Sequence, residues 1–137
     1  MVIREMTAED YAGAYELWSR TEGMGLSEAD SEERIKAFLA RNPGLSFVAV
    51  DDGRIVGTVL CGHDGRRGYL YHVAVSEPYR NRGIGKRLVA HALQRLRDER
   101  IDKCHLFVMR DNALGLAFWS GAGWTRRGDI LMFSSAT

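Results

Sequence analysis

Between residues 69 and 108 the chain reads as strand, glycine turn, long helix and strand, and no other stretch restricts its fold as much. Tyr69-Leu70-Tyr71-His72-Val73-Ala74-Val75 is rich in β-branched and aromatic residues, the composition of a β-strand. Arg80-Asn81-Arg82-Gly83-Ile84-Gly85-Lys86-Arg87 follows, and its two glycines allow the backbone to turn tightly around a ligand. From about Gly83 to Arg100, the residues Ile84, Leu88, Val89, Ala92, Leu93 and Leu96 mark one apolar helical face, with charges on the other. Cys104 to Val108 reads as the next strand. A strand–helix–strand crossover joins parallel neighbours. The chain is therefore expected to be an α/β protein with at least one parallel pair.

The start of a helix offers free N–H groups and the positive end of its dipole, which together suit an anion. Arg80, Arg82, Lys86 and Arg87 add full positive charge at the same place. The segment reads as a phosphate cradle, and the plainer alternative is a glycine turn with a solvated basic face. Two common phosphate loops are excluded. A dinucleotide fingerprint needs a small residue three positions after the second glycine, where this chain has Leu88. A Walker loop needs glycine, four residues and Gly-Lys-Ser/Thr, and no such run is present.

The rest of the chain supplies alternating elements. Val2 to Met6 is a short strand, and Thr7-Ala8-Glu9-Asp10 is a helix start in which Asp10 reaches back toward Thr7. Tyr11, Ala14, Tyr15, Leu17 and Trp18 keep helical spacing. Glu22 to Asp30 reads as loop, and Ser31 to Arg41 as a second helix with Ile35, Phe38 and Leu39 on its apolar stripe. Strands are expected over Leu45–Val50 and Arg54–Cys61, joined by the hairpin signal Asp52-Gly53. Gly62 to Gly68 is a turn in which His63 and Asp64 serve the bend. A short helix over Ala113–Ser120 precedes Gly121-Ala122-Gly123, and Trp124–Arg127 with Ile130–Ser134 is expected to close the sheet as a last hairpin.

With 137 residues the chain is expected to form one domain, 1–137. Nineteen basic against eighteen acidic side chains leave a net charge of +1, which argues against a nucleic-acid partner. Cys61 and Cys104 have neither metal-ligand spacing nor a disulfide framework, so no metal is expected and both read as small buried residues reduced in a cytoplasm. No apolar run is long enough to span a membrane, and the first residues lack the pattern of a signal peptide. A cytoplasmic location follows as an expectation.

The loop pattern Arg80-x-x-Gly83-x-Gly85 resembles the pyrophosphate loop of the GNAT superfamily of N-acetyltransferases, usually written Gln/Arg-x-x-Gly-x-Gly/Ala. Three further features carry the resemblance: the strand ending Val73-Ala74-Val75, the placement of Asn112, and Ala117-Phe118-Trp119-Ser120-Gly121-Ala122-Gly123-Trp124, which looks like the family's Ala-x-Phe-Tyr-x-x-x-Gly-Phe segment. The stretch Ile55 to Gly85 also resembles a bacterial branch of small acetyltransferases. The resemblance implies a single-domain mixed sheet with helices on both faces and splayed central parallel strands. It implies acetyl-CoA as co-substrate. The amides of Asn81, Arg82, Gly83, Ile84, Gly85 and Lys86 would hold the pyrophosphate, with Arg80 among the cations that meet the adenosine phosphates. The pantetheine arm would bond the backbone of Val73, Ala74 and Val75, and Asn112 would reach that arm or cap a helix, or both.

The resemblance also implies direct attack by a primary amine on the acetyl thioester, within a ternary complex. Two common catalytic positions are changed: Trp119 stands where many relatives have an acidic tyrosine, and Phe107 where some have a glutamate base. Indole N–H donates a hydrogen bond but does not release its proton near neutral pH. The remaining candidates are Tyr71, as donor to the thiolate or to a water, and His72, as a base or as a packed, hydrogen-bonded residue. Period-two alternation puts Tyr69, Tyr71, Val73 and Val75 on one face and Leu70, His72 and Ala74 on the other, unless a bulge shifts the phase. Tyr71 is the catalytic choice. Glu22, Glu28, Asp30, Glu32 and Glu33 either favour a cationic acceptor or are helix-start and surface charges. A small-molecule or peptide amine is the expected acceptor, and homodimerisation through a sheet edge or helix is open to the chain. The alternative function is a non-catalytic acyl-CoA-binding or sensing module of the same fold.

Overall fold

A computed structural model describes all residues, 1–137. Its elements are β1 (Val2–Glu5), α1 (Tyr11–Arg20), α2 (Glu32–Arg41), β2 (Phe47–Asp51), β3 (Arg54–His63), β4 (Gly68–Val75), α3 (Ile84–Asp98), β5 (Cys104–Leu106) and α4 (Ala113–Gly121). Single turns of 3-10 helix lie at Ala8–Asp10, Glu28–Asp30 and Glu77–Tyr79. The chain forms two compact units, Met1–Phe107 and Val108–Thr137.

In the larger unit the strands lie in the order β1-β2-β3-β4-β5. The first three pairings are antiparallel, and β4 with β5 is parallel, as the crossover through α3 requires. Asp51 faces Arg54 across a two-residue turn, with Asp52 at φ +51° and Gly53 at φ +75°. Both central residues are left-handed, which a tight hairpin of right-twisted strands demands.

Helices cover both faces. On one, α3 lies so close that a Cβ at Gly68 would stand 2.5 Å from Leu96 Cδ1, and one at Gly57 would stand 2.9 Å from Leu88 Cδ1. On the other, Gly62 leaves room for Phe38 of α2 and for Asn42, which follows the last residue of that helix. Met6, Ala14, Leu17, Trp18, Ile35, Val48, Leu60 and Ala74 form the core beneath α1 and α2. Local signals set the helix starts. The Thr7 N–H donates to Asp10 Oδ2 at 2.8 Å, and the Ser31 hydroxyl accepts from the Arg34 N–H at 3.3 Å.

The smaller unit holds α4, capped by Asn112, whose Oδ1 accepts from the Gly115 N–H at 3.0 Å. Trp119 packs edge-on between Phe118 and Trp124, with ring centroids 4.9 Å away on either side. The expected hairpin of Trp124–Arg127 and Ile130–Ser134 does not form: neither stretch is a strand. Arg127 instead makes a two-pronged contact with Asp129, 2.9 Å on each prong, a local bond that replaces a ladder across the intended turn. Ile130, Leu131, Met132 and Phe133 consequently stay exposed. The strand expected to reach Val108 ends at Leu106, where its pairing with β4 ends.

Candidate active site

Strands β4 and β5 pair only through Gly68, Tyr69 and Leu70, opposite Cys104, His105 and Leu106. From Tyr71 to Val75 that edge of β4 has no strand beside it, so its backbone groups, apart from the Val75 and His72 carbonyls that accept from Arg80 and Thr58, are open to an extended ligand. The expected splay of the parallel strands is present.

On its other edge β4 is irregular. Gly57 faces Val75 and Thr58 faces Ala74, yet Leu60 faces Tyr71, so His72 and Val73 together oppose Val59. His72 absorbs the extra residue with φ +49°. The bulge shifts the phase of the strand. Tyr71 packs edge-on against Phe38 of α2, ring centroids 6.2 Å apart, while His72 packs against Trp18 of α1 at 4.7 Å and Ala74 joins the same core. His72 and Ala74 therefore share a face with Tyr71, contrary to strict alternation.

Tyr71 is 40% exposed and begins the unpaired edge. Burial, and then the neighbouring Tyr69, raise its pKa, so the phenol keeps its proton at neutral pH and can donate. His72 is not free: its Nε2 lies 2.6 Å from Asp30 Oδ1. Phe107 is 60% exposed and stacks on Tyr69 at 6.3 Å.

The glycine loop is shaped to present N–H groups. Asn81 at φ +64° and Gly83 at φ +77° turn the chain into α3, whose first helical bond runs from the Arg87 N–H to the Gly83 carbonyl. The preceding amides, Asn81 through Lys86, have no protein acceptor. Arg82, Lys86 and Arg87 are exposed and unpaired with carboxylates, while Arg82 lies 5.2 Å over the ring of Tyr79. Tyr79 donates to Asp51 Oδ2 at 2.7 Å, anchoring the loop's entry to the end of β2 and lowering the Asp51 pKa. Arg80 turns back, its Nε donating to the Val75 carbonyl at 3.0 Å, so this cation braces the end of β4. These groups fit a thioester carrying a pyrophosphate: free amides and local cations for the anion, and an unpaired strand edge for an amide-containing arm.

Several other sequence candidates are accounted for by local structure. Asp64 Oδ1 accepts from the N–H groups of Arg66 and Arg67, both at 2.8 Å, and His63 Nδ1 accepts from the Gly65 N–H at 2.9 Å, so both serve the turn. Glu32 pairs with Lys36 at 2.9 Å, and Asp30 is held by His72, which removes two of the five acids from any field offered to a cation. Burial pushes the thiols of Cys61 and Cys104 up to about 12 and about 11, leaving them unreactive. The contacts of Asp30, Trp18 and Thr58 with the β4 bulge were not foreseen, because no local pattern announces partners that far apart.

A mixed sheet whose parallel pair stops short beside an amide-lined helix start is the fold of the solved acetyltransferases to which the chain is similar. A sequence model described as the acetyltransferase (GNAT) family matches residues 11–124, and the chain belongs to that family. The family is one of acetyltransferases, and the chain is an acetyltransferase. An acetyltransferase of Pectobacterium atrosepticum is 35% identical over 112 residues, covering 82% of this chain and 79% of that one. Among solved structures, the PaiA N-acetyltransferase of Thermoplasma acidophilum in complex with coenzyme A superposes with a TM-score of 0.76 at 23% identity, covering 88% of this chain and 86% of that one. AAC(6')-Iy, in complex with the bisubstrate analogue CoA-S-monomethyl-acetylneamine, gives 0.78 at 16% identity over 99% and 98%. No helix of this chain is long and apolar enough to cross a membrane.

Proposed function

We propose that residues 1–137 act as one N-acetyltransferase domain that moves the acetyl group of acetyl-CoA to a primary amine by direct attack in a ternary complex. The carrying observation is the free β4 edge from Tyr71 to Val75, which ends just before the loop that presents the amides of Asn81 to Lys86. An arm laid along that edge would put its pyrophosphate on the loop and its thioester near Tyr71. The neutral amine attacks the thioester carbon, the C–N bond forms and the C–S bond breaks. The nitrogen releases one proton to water, and the sulfur leaves as thiolate and takes up a proton, giving amide and CoA thiol. A thiol pKa of about 8.5 makes it a fair leaving group. Tyr71, protonated and half exposed, is the donor to that sulfur. Backbone N–H groups of Val73 to Val75 stabilise the oxyanion. Asn112 contributes to the arm through the side chain that also caps α4. The acceptor is a small-molecule or peptide amine, and the reaction belongs in the cytoplasm where acetyl-CoA is held.

Calorimetric titration with acetyl-CoA tests this, with CoA and ATP as comparisons and Gly83→Glu as control. Wild type should bind acetyl-CoA saturably. Gly83→Glu should lose at least tenfold in affinity, because a carboxylate would repel the pyrophosphate and φ +77° strains any side chain. Release of CoA thiol in a panel of primary amines then tests the transfer. Binding without release for every amine would favour a non-catalytic acyl-CoA-binding module, and no binding by folded protein would overturn the assignment.

A further inference from the structure

Asp30 and His72 lie 42 residues apart in sequence, yet their side chains are only 9% and 13% exposed and meet at 2.6 Å. A carboxylate only accepts, so His72 Nε2 carries the shared hydrogen. The other carboxylate oxygen, Oδ2, accepts from the Ser27 N–H at 2.9 Å, and the Asp30 carbonyl accepts from the Tyr11 hydroxyl at 2.7 Å. Both oxygens of Asp30 are thus used to fold the short turn between α1 and α2 and to attach it to β4.

The strand side of this contact is equally constrained. His72 adopts φ +49°, a region that non-glycine residues rarely occupy and keep only when their surroundings hold them there. Its carbonyl accepts from the Thr58 hydroxyl at 2.8 Å, and Thr58 in turn accepts from Trp18 Nε1 at 2.9 Å. The Trp18 ring lies 4.7 Å from the imidazole. The network runs from the α1–α2 turn through the bulge, and Tyr71, the first residue of the free edge, immediately precedes His72 in the chain.

We propose that Asp30 and His72 form a positioning clamp that docks the segment Ser27–Ser31 onto the β4 bulge and so fixes the wall of α1 and α2 beside Tyr71. The amides proposed for the pyrophosphate lie elsewhere, on the glycine loop and the start of α3, whereas the β4 edge proposed for the arm includes His72 itself. The α1–α2 side is the one left to the amine, because α3 packs flush over the opposite face. Only this last consequence rests on the amine-acetylation reading. In this role His72 holds the turn in place, with its Nε2 hydrogen given to Asp30 Oδ1.

Two variants separate a clamp from an ordinary core contact. Asp30→Asn cannot accept from both His72 and Ser27 through two oxygens. His72→Asn keeps a residue that tolerates left-handed backbone but is too short to replace the imidazole. Each is compared with wild type by amide hydrogen exchange, acetyl-CoA calorimetry, and CoA release with tyramine, spermidine and an N-terminal-serine peptide as probe amines. We expect exchange at Ser27, Asp30 and Ser31 to rise at least tenfold in both variants while α3 is unchanged, and acetyl-CoA affinity to stay within twofold in Asp30→Asn, whose residue lies off the β4 edge. In Asp30→Asn the KM of whichever probe amine is turned over should rise at least tenfold with little change in the KM of acetyl-CoA. Unchanged exchange at 27–31, a uniform rise that includes α3, parallel loss of acetyl-CoA binding in Asp30→Asn, or failure of both variants to fold would overturn the clamp. If wild type acetylates none of the probes, the transfer reading fails on its own, and the exchange pattern still decides the clamp.

Discussion

Asp10 shows how one residue joins a helix start to a sheet edge. Its carboxylate accepts from the Thr7 N–H at 2.8 Å and from two nitrogens of Arg4, each at 2.8 Å. The Arg4 hydrogen bonds do most to lower its pKa, burial opposes them, and the Thr7 amide adds to the lowering. A carboxyl whose pKa is lower in the folded state contributes stability above its unfolded value of about 3.9, and that contribution is lost as pH falls through the folded value. Asp10→Asn should therefore destabilise the protein by about 1–3 kcal/mol at pH 7, the range for losing hydrogen bonds to a charged group. At acid pH, below the unfolded value of about 3.9 and through the lower folded value, the wild-type advantage should shrink toward zero. Urea denaturation at both pH values checks this, and an equal loss at both would show that shape rather than charge carries the effect.

At the scale of elements, the seating of α3 on the sheet fixes where its N-terminus points, and two glycines set that seat. Gly68 leaves space for Leu96 and Gly57 for Leu88, so the helix lies closer than side chains would permit. Gly68→Val should cost about 1–3 kcal/mol by overpacking against Leu96. Leu96→Ala alone should cost about 2–5 kcal/mol as a buried cavity. The double variant should be less destabilised than the sum, since the valine occupies space that the leucine vacates. Strict additivity in thermal or urea unfolding would mean that the two side chains do not meet.

The same elements show what the sequence carries. The 84–98 helix, its glycine entry and the Asp52-Gly53 turn were readable, because spacing, caps and left-handed positions are local properties. The β4 bulge was not readable, since Tyr71, His72 and Val73 satisfy a plain strand pattern and only pairing with β3 shows the extra residue. The hairpin over 124–134 failed for a related reason. Ile130 to Phe133 have strand-forming side chains, but a strand exists only if another backbone completes its ladder, and here none does. The candidate site follows the same division: the amides of 81–86 were legible from the glycines, whereas the contacts of Asp30, Trp18 and Thr58 with the bulge depend on tertiary structure.

For the whole molecule, charge decides how a polyanionic co-substrate is drawn in. A net charge of +1 gives no strong global attraction, so the pull must come from Arg82, Lys86 and Arg87 around the amide loop. Such exposed charges act within a Debye length, about 10 Å at 0.1 M salt and about 3 Å at 1 M. Acetyl-CoA affinity should fall as salt rises, while the part carried by the amides persists. Lys86→Gln should weaken binding roughly three- to tenfold at 50 mM salt, corresponding to the weak end of charge–phosphate contacts. At 1 M salt the variant and wild type should converge, because screening removes the attraction that Lys86 supplied. Calorimetry at the two salt concentrations reads both quantities. A salt-independent deficit in Lys86→Gln would instead mean that the side chain holds a phosphate by direct contact or supports the loop's shape. The amides would then be less dominant than their unpaired geometry implies.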